Sequence, residues 1–203
     1  MTAINNFAVF GGTFDPIHRG HLHLISTIVE KTIINARTFD ELLVIPSGEP
    51  WMREVPVASK EDRLEMVELA ISELPHEISE HIRVSDIEIA RTGPTYAIDT
   101  VLDLQADLDA KWTMIIGSDV LASLPKWRSF DELARLVDFL VVKRPGSTIE
   151  EIPEVRASTI DIDALDISAT ELRQAIADGA DVDEFISPLV IGYIEEKGLY
   201  ARA

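Results

Sequence analysis

Two histidines three residues apart, His18 and His21, follow a short apolar run that ends in two glycines. The apolar run, Phe7 to Phe10, predicts a buried strand, and Gly11-Gly12 predicts a tight turn at its end. Glycine lets a ligand approach the backbone closely because it has no Cβ. From about Gly20 the apolar residues return at helical spacing, so both imidazoles are expected at the start of a helix, where free N–H groups and the helix dipole favour an anion. This stretch therefore predicts a phosphate-binding site.

A second candidate anion site lies near the other end of the chain, in the stretch ISATELR at 167–173. Ser168 and Glu171 have the spacing of a capping box, which predicts a helix that begins beside Ser168. The start of such a helix also favours an anion. Arg173 lies one turn further on, where its planar guanidinium can donate two hydrogen bonds to a phosphate.

The charge of the chain restricts its partners. With 36 acidic and 18 basic residues among 203, the formal net charge is −18 at pH 7. A surface this negative repels polyanions, so we expect neither a nucleic acid nor an anionic membrane as a partner. Any phosphate site must be locally positive against this field, which gives each well-placed histidine or arginine more significance.

The chain contains no cysteine, so neither a disulfide nor a thiol nucleophile is available. Its first residues lack the basic region and apolar core that are typical of a signal peptide. No apolar run approaches the length of a membrane-spanning helix. We therefore expect a cytoplasmic protein, and the sequence leaves open whether it is a homo-oligomer.

Apolar runs that predict strands alternate with helical patterns along the chain. Strands are predicted at 7–10, 39–46, 82–89, 112–117, 138–143 and 158–163. Helices are predicted from residue 20, from Lys60 with Ser59 as N-cap, at 95–108, and from Pro188 to about Gly198. This alternation predicts one α/β domain over 1–203, with a Rossmann-like, doubly wound parallel sheet and a C-terminal helical segment at 167–200.

The carboxyl ends of the predicted strands are where such folds bind ligands. These ends are Gly11-Gly12, Pro46-Ser47, Gly117 and Arg144-Pro145. Neither the GxGxxG fingerprint nor a P-loop occurs, which argues against ordinary dinucleotide binding and P-loop phosphoryl transfer. The loop at 47–58 is rich in proline and polar apart from an exposed-looking Trp51, and we expect it to close over the site.

The two candidate anion sites resemble the paired signatures of the nucleotidyltransferase superfamily: GGTFDPIHRGH at 11–21 is similar to the first, and ISATELR at 167–173 to the second, ISxTxxR. The resemblance implies adenylyl or cytidylyl transfer in which His18, His21 and Arg173 are the catalytic groups. It also implies that further residues of the two motifs bind ATP, namely Gly11, Gly12, Thr13, Phe14, Ile167, Ser168 and Thr170.

Residues in the middle of the chain carry a narrower resemblance. They are RTGPTY at 91–96, Asp99-Thr100, Gly117-Ser118-Asp119 and Trp127. This set resembles nicotinate-nucleotide adenylyltransferase, which implies that Gly117 and Asp119 bind the adenosine side of ATP. It also implies that the pyridine ring of the second substrate is held by Thr95, Tyr96 and Trp127. A tryptophan face is a good platform for a flat heteroaromatic ring, which supports this role for Trp127. The alternative is that Trp127 packs in the hydrophobic core.

Two positions differ from the pattern common in that family. After the second strand, where members commonly have PPHK or PPHR, this chain has Glu49-Pro50-Trp51-Met52-Arg53. We interpret Arg53 as the basic group that contacts the phosphate of the mononucleotide. Ala97 stands where many members have threonine, so a hydroxyl contact at that position is lost.

The resemblance implies that the chain condenses ATP with nicotinate mononucleotide to deamido-NAD and pyrophosphate in NAD biosynthesis, with Mg²⁺ carried by ATP. One alternative is another small-molecule nucleotidyltransferase, of the pantetheine-phosphate adenylyltransferase or cytidylyltransferase type. These types do not explain GPTYAIDT at 93–100 together with Trp127. The other alternative is a nucleotide-binding domain without turnover, which nothing in the two motifs supports.

Some polar residues are expected to take no part in the chemistry. Asp15 precedes Pro16 and is predicted to be a turn residue. His76 and His81 have no motif around them and are predicted to be surface groups.

Overall fold

The computed structural model describes residues 5–51, 54–143, 152–153, 155–163 and 165–202. The strands are β1 (Asn6–Gly12), β2 (Glu41–Pro46), β3 (Glu49–Pro50), β4 (Ile82–Val84), β5 (Pro94–Thr95), β6 (Lys111–Gly117), β7 (Asp138–Lys143) and β8 (Ala157–Asp161). The α-helices are α1 (Arg19–Ile28), α2 (Lys60–Ser72), α3 (His76–Ser79), α4 (Ala97–Asp107), α5 (Ser118–Leu121), α6 (Phe130–Leu136), α7 (Ala169–Ala177) and α8 (Pro188–Lys197). A π-helical stretch, Val29–Asn35, continues α1, and Leu124–Lys126 forms a 3₁₀ turn.

Six of the described strands form one parallel sheet in the order β4-β2-β1-β6-β7-β8. Strand β1 lies between β2 and β6, and the chain order runs outward from it in both directions. Such a reversal is the topological switch point of a doubly wound fold, and ligands bind beyond the carboxyl ends of the strands there. The predicted Rossmann-like α/β fold is confirmed, with Gly12, Pro46 and Gly117 ending three adjacent strands. Strands β3 and β5 form a separate short parallel pair.

Successive residues of the central strands point to opposite faces of the sheet and enter two hydrophobic clusters. Ala8 and Val44 belong to the cluster that includes residues of α1, α2 and α8. Val9 and Ile45 belong to the cluster that includes residues of α4 and α6. Strands covered by helices on both faces are expected to be apolar throughout, which explains why β1 and β2 are continuous apolar runs in the sequence.

The strand predicted at 82–89 is shorter than expected, because β4 ends at Val84 and the chain then turns. Lys60 holds this turn: its Nζ donates to the carbonyls of Ile89 and Arg91 at 2.6 and 2.8 Å. The alternation of apolar and polar residues is a local signal, so it could not register a contact made by a side chain distant in sequence.

The predicted helix boundaries are largely confirmed. Ser59 is the N-cap of α2 and accepts a backbone hydrogen bond of 3.0 Å. Gly198 follows α8 with a φ of 62°, a left-handed conformation that glycine adopts without strain. The helix predicted at 95–108 begins later, at Ala97, because Thr95 is paired in β5.

Candidate active site

His18 and His21 lie side by side at the start of α1. His18 is the N-cap, with an extended backbone, and its N–H donates to His21 Nδ1 at 3.3 Å. The two rings stack with their centroids 3.7 Å apart. Gly20 permits this arrangement, because a Cβ at that position would lie only 3.0 Å from His18 Nδ1. The prediction that both imidazoles lie at a helix start is confirmed.

His18 is uncharged at neutral pH. Only 7% of its surface is exposed, and this burial lowers its pKa to about 4. Its side chain faces the backbone N–H of His21 in the reciprocal arrangement of a capping box, with Nδ1 buried. His18 is therefore suited to contact a phosphate as a neutral hydrogen-bonding group.

The two glycines that end β1 have different surroundings. Phe14 has a left-handed backbone, with a φ of 52°, and its ring occupies the space beside Gly12. A Cβ on Gly12 would lie 2.6 Å from that ring, which contacts His21 edge to face at a centroid distance of 5.1 Å. At Gly11 a Cβ would meet nothing closer than 3.9 Å. Gly11 therefore has open space beside it, and Gly12 makes room for the Phe14 ring; the contact of either glycine with ATP stays a prediction.

The second motif folds back onto the first. Ser168 is the N-cap of α7 and accepts a hydrogen bond from the Glu171 N–H at 3.4 Å, as predicted. Arg173 Nη1 donates to the backbone carbonyl of Asp15 at 2.8 Å, and its Nη2 donates to Thr170 Oγ1 at 3.2 Å. The Arg173 side chain stays 20% exposed, so its guanidinium can still be reached by a ligand. The structure thus brings into contact two motifs from opposite ends of the chain.

Asp15 has a larger part in the site than the sequence indicated. Its carboxylate is buried and accepts hydrogen bonds from the N–H groups of Val57 and Ala58 at 2.8 and 3.1 Å. The same carboxylate accepts a hydrogen bond from the Tyr200 hydroxyl at 2.8 Å, and its Oδ2 lies 3.8 Å from Arg173 Nη1. Asp15 lies in a turn, as predicted, and its carboxylate in addition links segments that are distant in the sequence. No local pattern could have shown this, because the nearest of these partners is 42 positions away.

Arg63 is a second residue that the sequence analysis missed. Its side chain is almost fully buried; Nη1 donates to the Thr13 carbonyl at 2.7 Å and Nη2 to the Gly48 carbonyl at 2.8 Å. Burial lowers the pKa of Arg63, and the negative charge of Asp15 opposes that shift. The sequence did contain one sign of this burial. Arg63 lies three residues before Met66, so helical spacing places it on the buried face of α2.

At the carboxyl end of β6, the side chain of Asp119 folds back over Gly117. A Cβ on Gly117 would lie 2.4 Å from Asp119 Oδ1, so a larger residue there would displace the Asp119 carboxylate. Because β6 is hydrogen-bonded to β1, the Asp119 carboxylate lies at the switch point of the sheet. Its contact with the adenosine side of ATP stays a prediction.

Trp51, Tyr96 and Arg128 form a cluster that we call the aromatic wall. The Arg128 guanidinium lies 4.4 Å from the centroid of the Tyr96 ring, and the Trp51 ring lies 5.4 Å from the same centroid. Trp51 is 46% exposed, as the sequence predicted. Trp127, adjacent to Arg128, is half-buried and packs against the hydrophobic cluster of α4 and α6. Core packing therefore explains part of the position of Trp127 and leaves the rest of its surface accessible.

Two sequence predictions concern residues outside the described ranges: the phosphate contact of Arg53 and the strand end at Arg144-Pro145. Thr95 is described; it is buried, and its Oγ1 donates to the Glu49 carbonyl at 3.3 Å. His76 is exposed, as expected.

In the described ranges, no three or more histidine and acidic side chains converge on a point where they could hold a metal ion. In the same part of the chain, none of the helices combines the length and the apolar character that a bilayer crossing requires.

Comparison with known proteins identifies relatives of the whole chain. Residues 9–175 match the family described as cytidylyltransferase-like. A protein of Bordetella avium named "Probable nicotinate-nucleotide adenylyltransferase" is 34% identical, with 98% of this chain and 100% of that protein covered. A protein of the same name from Streptomyces coelicolor is 38% identical, with coverages of 94% and 98%.

Solved structures share the fold over almost the whole chain. Nicotinic acid mononucleotide adenylyltransferase of Plasmodium falciparum, complexed with NaAD, has a TM-score of 0.81 at 22% identity, with 97% of both chains covered. The same enzyme complexed with APC has a TM-score of 0.75 at 23% identity and the same coverage. At 22% and 23% identity, this similarity shows that the chain shares the doubly wound fold of these structures.

Proposed function

The chain belongs to the cytidylyltransferase-like family and, within it, to the nicotinate-nucleotide adenylyltransferases, and we propose that it transfers the adenylyl group of ATP to nicotinate mononucleotide. The products are deamido-NAD and pyrophosphate. The observation that best supports this reaction is the contact between Arg173 and Asp15, which brings the helix start at Ser168 against the loop that carries His18 and His21. Two helix starts, two imidazoles and a guanidinium thus face one region at the carboxyl end of β1.

The reaction needs positioning and positive charge, and no nucleophile from the protein. A phosphate oxygen of the mononucleotide attacks the α-phosphorus of ATP in line; a new P–O bond forms as the bond to the β-phosphate oxygen breaks. Charge builds on the bridging oxygen and on the leaving pyrophosphate. We assign His18 and His21 to the α-phosphate oxygens, His18 as a neutral hydrogen-bonding group, and Arg173 to the leaving phosphates.

The proposed partners are small molecules. ATP enters with Mg²⁺, which neutralises charge on the triphosphate and the leaving pyrophosphate. An ion carried by the nucleotide needs no dedicated protein cage, because Mg²⁺ commonly takes phosphate oxygens and waters as ligands. Nucleic acid is not a partner, since a net charge of −18 repels it. We place this biosynthetic reaction in the cytoplasm.

The mononucleotide is proposed to bind beside the aromatic wall. Its pyridine ring lies near Tyr96, Thr95 and Trp127, where flat aromatic surfaces are accessible. Arg128 adds a positive charge to this wall, and that charge favours a ring that bears a carboxylate over one that bears a neutral amide. Arg53 is proposed to contact the phosphate at the other end of the same substrate.

A pyrophosphate-release assay tests the function and its rivals together. Purified protein is incubated with ATP and Mg²⁺ plus nicotinate mononucleotide, nicotinamide mononucleotide or pantetheine phosphate, and separately with CTP in place of ATP. Release with ATP and nicotinate mononucleotide above all other pairs is expected. A preference for pantetheine phosphate or CTP would support the other nucleotidyltransferases, and release with none of them would support a binding domain without turnover.

A further inference from the structure

The side chain of Tyr200 reaches the first motif from the far end of the chain. Its hydroxyl donates to Asp15 Oδ1 at 2.8 Å, a contact across 185 positions. That oxygen also accepts from the Ala58 N–H, and Oδ2 accepts from the Val57 N–H. One buried carboxylate therefore joins the β1–α1 loop, the segment before α2 and the residues after α8.

The same aspartate sets the direction of Arg173. Arg173 Nη1 donates to the Asp15 carbonyl oxygen at 2.8 Å and lies 3.8 Å from Oδ2. The contact with Oδ2 depends on the rotation of the Asp15 side chain, and the hydrogen bond to the carbonyl depends on the path of the Asp15 backbone. Whatever fixes Asp15 thus also fixes the guanidinium that is assigned to the leaving phosphates.

The backbone at Tyr200 is held in an uncommon conformation. Its φ is 62°, in the left-handed region that bulky residues rarely adopt, and its side chain is buried. Such strain persists only where the surroundings determine it, and it often occurs at functional sites. Burial and the neighbouring Asp15 charge raise the pKa of Tyr200, so its hydroxyl stays protonated and continues to donate.

We propose that Tyr200 is a positioning residue for the phosphate chemistry: its hydroxyl holds Asp15 so that the carbonyl and Oδ2 of Asp15 orient Arg173. This inference rests on the proposed function, in which Arg173 contacts phosphate. The competing explanation is that the buried Tyr200 ring only anchors the end of α8. Tyr200→Phe distinguishes the two, because it keeps the ring and removes only the hydroxyl.

Tyr193→Phe is a matched control. The Tyr193 hydroxyl also donates to an aspartate at 2.8 Å, in this case Asp62 on α2, which lies outside both motifs, and this bond joins α8 to α2. Both variants lose one hydroxyl hydrogen bond of the same length. A purely structural effect should appear in both, as a lower melting temperature, whereas a positioning effect should appear only in Tyr200→Phe.

The experiment compares the wild type with both variants. Calorimetry measures the binding of pyrophosphate, and steady-state kinetics measure kcat and KM. We expect Tyr200→Phe to bind pyrophosphate about tenfold more weakly and to lose about tenfold in kcat, the scale of one hydrogen bond to a charged group. The KM for the mononucleotide should stay within about twofold, and Tyr193→Phe should match the wild type in all three values. In an Arg173→Lys background, Tyr200→Phe should cause little further loss, because the two residues act through one contact.

Three outcomes would each overturn the positioning role: wild-type values in Tyr200→Phe, equal losses in both variants, or fully additive losses with Arg173→Lys. A wild-type protein that binds no pyrophosphate would overturn it as well. If the wild type binds pyrophosphate but shows no turnover, the proposed function fails, and the difference in pyrophosphate binding between the two variants still decides the role of Tyr200.

Discussion

Arg173 donates a hydrogen bond to the backbone carbonyl of Asp15, although 158 positions separate the two residues. This contact brings the helix start that carries Arg173 against the loop that carries His18 and His21. The hydrogen-bonding groups of the proposed phosphate site therefore come from both ends of the sequence, and each motif alone supplies half of them.

Replacing His21 should impair the chemical step more than the binding of substrates. We expect His21→Ala to lower kcat by about a hundredfold or more, the scale for loss of one preorganised donor to a developing charge. His23→Ala is the control, since His23 is exposed on the same helix. Steady-state kinetics of the two variants measure the difference, and an unimpaired His21→Ala enzyme would contradict the phosphate assignment.

The low pKa of His18 should make stability depend on pH. Between about pH 6.5 and about pH 4 the unfolded chain binds a proton at this ring that the folded protein excludes, so the free energy of unfolding falls as pH falls. His18→Gln removes this contribution. From about pH 7.5 to about pH 5 the variant should therefore lose up to about 2 kcal/mol less than the wild type.

Urea denaturation at several pH values measures the His18 effect. His76→Gln is the control, because the His76 ring is exposed to solvent and should leave the wild-type slope unchanged. Parallel stability curves for all three proteins would show that His18 titrates as an ordinary histidine.

Trp127 should contribute to the binding of the mononucleotide more than to catalysis. We expect Trp127→Ala to raise the KM for nicotinate mononucleotide several-fold, on the order of 1 kcal/mol for one aromatic stacking contact, and to leave the KM for ATP nearly unchanged. Trp127→Phe, which preserves part of the packing against α4 and α6, should recover most of the affinity. Equal changes in both KM values would indicate that Trp127 acts through core packing alone.

The charge of Arg128 should determine preference between pyridine substrates. Arg128 is 56% exposed and lies 4.0 Å from the Asp99 carboxylate. Arg128→Ala is expected to lower kcat/KM with nicotinate mononucleotide by about fivefold, the scale of one exposed ion pair, with little change for the nicotinamide form. Arg83→Ala is the control, because Arg83 is an exposed arginine on β4, at the edge of the sheet, where it pairs with Glu41. The ratio of kcat/KM for the two substrates is the measurement, and an unchanged ratio would show that another group selects the carboxylate.

The fold could be predicted because its signals are local. The continuous apolar run at Phe7–Phe10, its glycine end and the alternation of strands with helices all follow from burial of a parallel sheet on both faces. The strand predicted at 82–89 failed because Lys60 bonds to the carbonyls that follow β4, and no local pattern contains that contact.

The candidate site also has a part that could be predicted from the sequence and a part that could not. His18, His21, Ser168 and Arg173 could be predicted because motif spacing places them at helix starts, and the structure brings them to one region. The supporting contacts of Asp15 could not be predicted, because every partner lies far along the chain. A buried carboxylate that organises distant segments has no signature in its own neighbourhood.

Arg63 offers the most direct test of how the first motif is supported. It is buried, and its two terminal nitrogens join the Thr13 carbonyl to the Gly48 carbonyl. Arg63→Met keeps much of the side-chain length but removes both donors. The variant therefore leaves two carbonyls without partners and removes a cation close to Asp15.

We expect Arg63→Met to lose about 3–5 kcal/mol in the free energy of unfolding, the usual cost of breaking a buried charged contact. Arg83→Met is the matched control: Arg83 forms a surface ion pair with Glu41, and its loss should cost at most about 1 kcal/mol. Chemical denaturation of both variants measures the difference. If the two variants lost the same small amount, the Arg63 contacts would contribute no more than a surface pair, and the loop at Thr13 would have to be held by the Asp15 contacts instead.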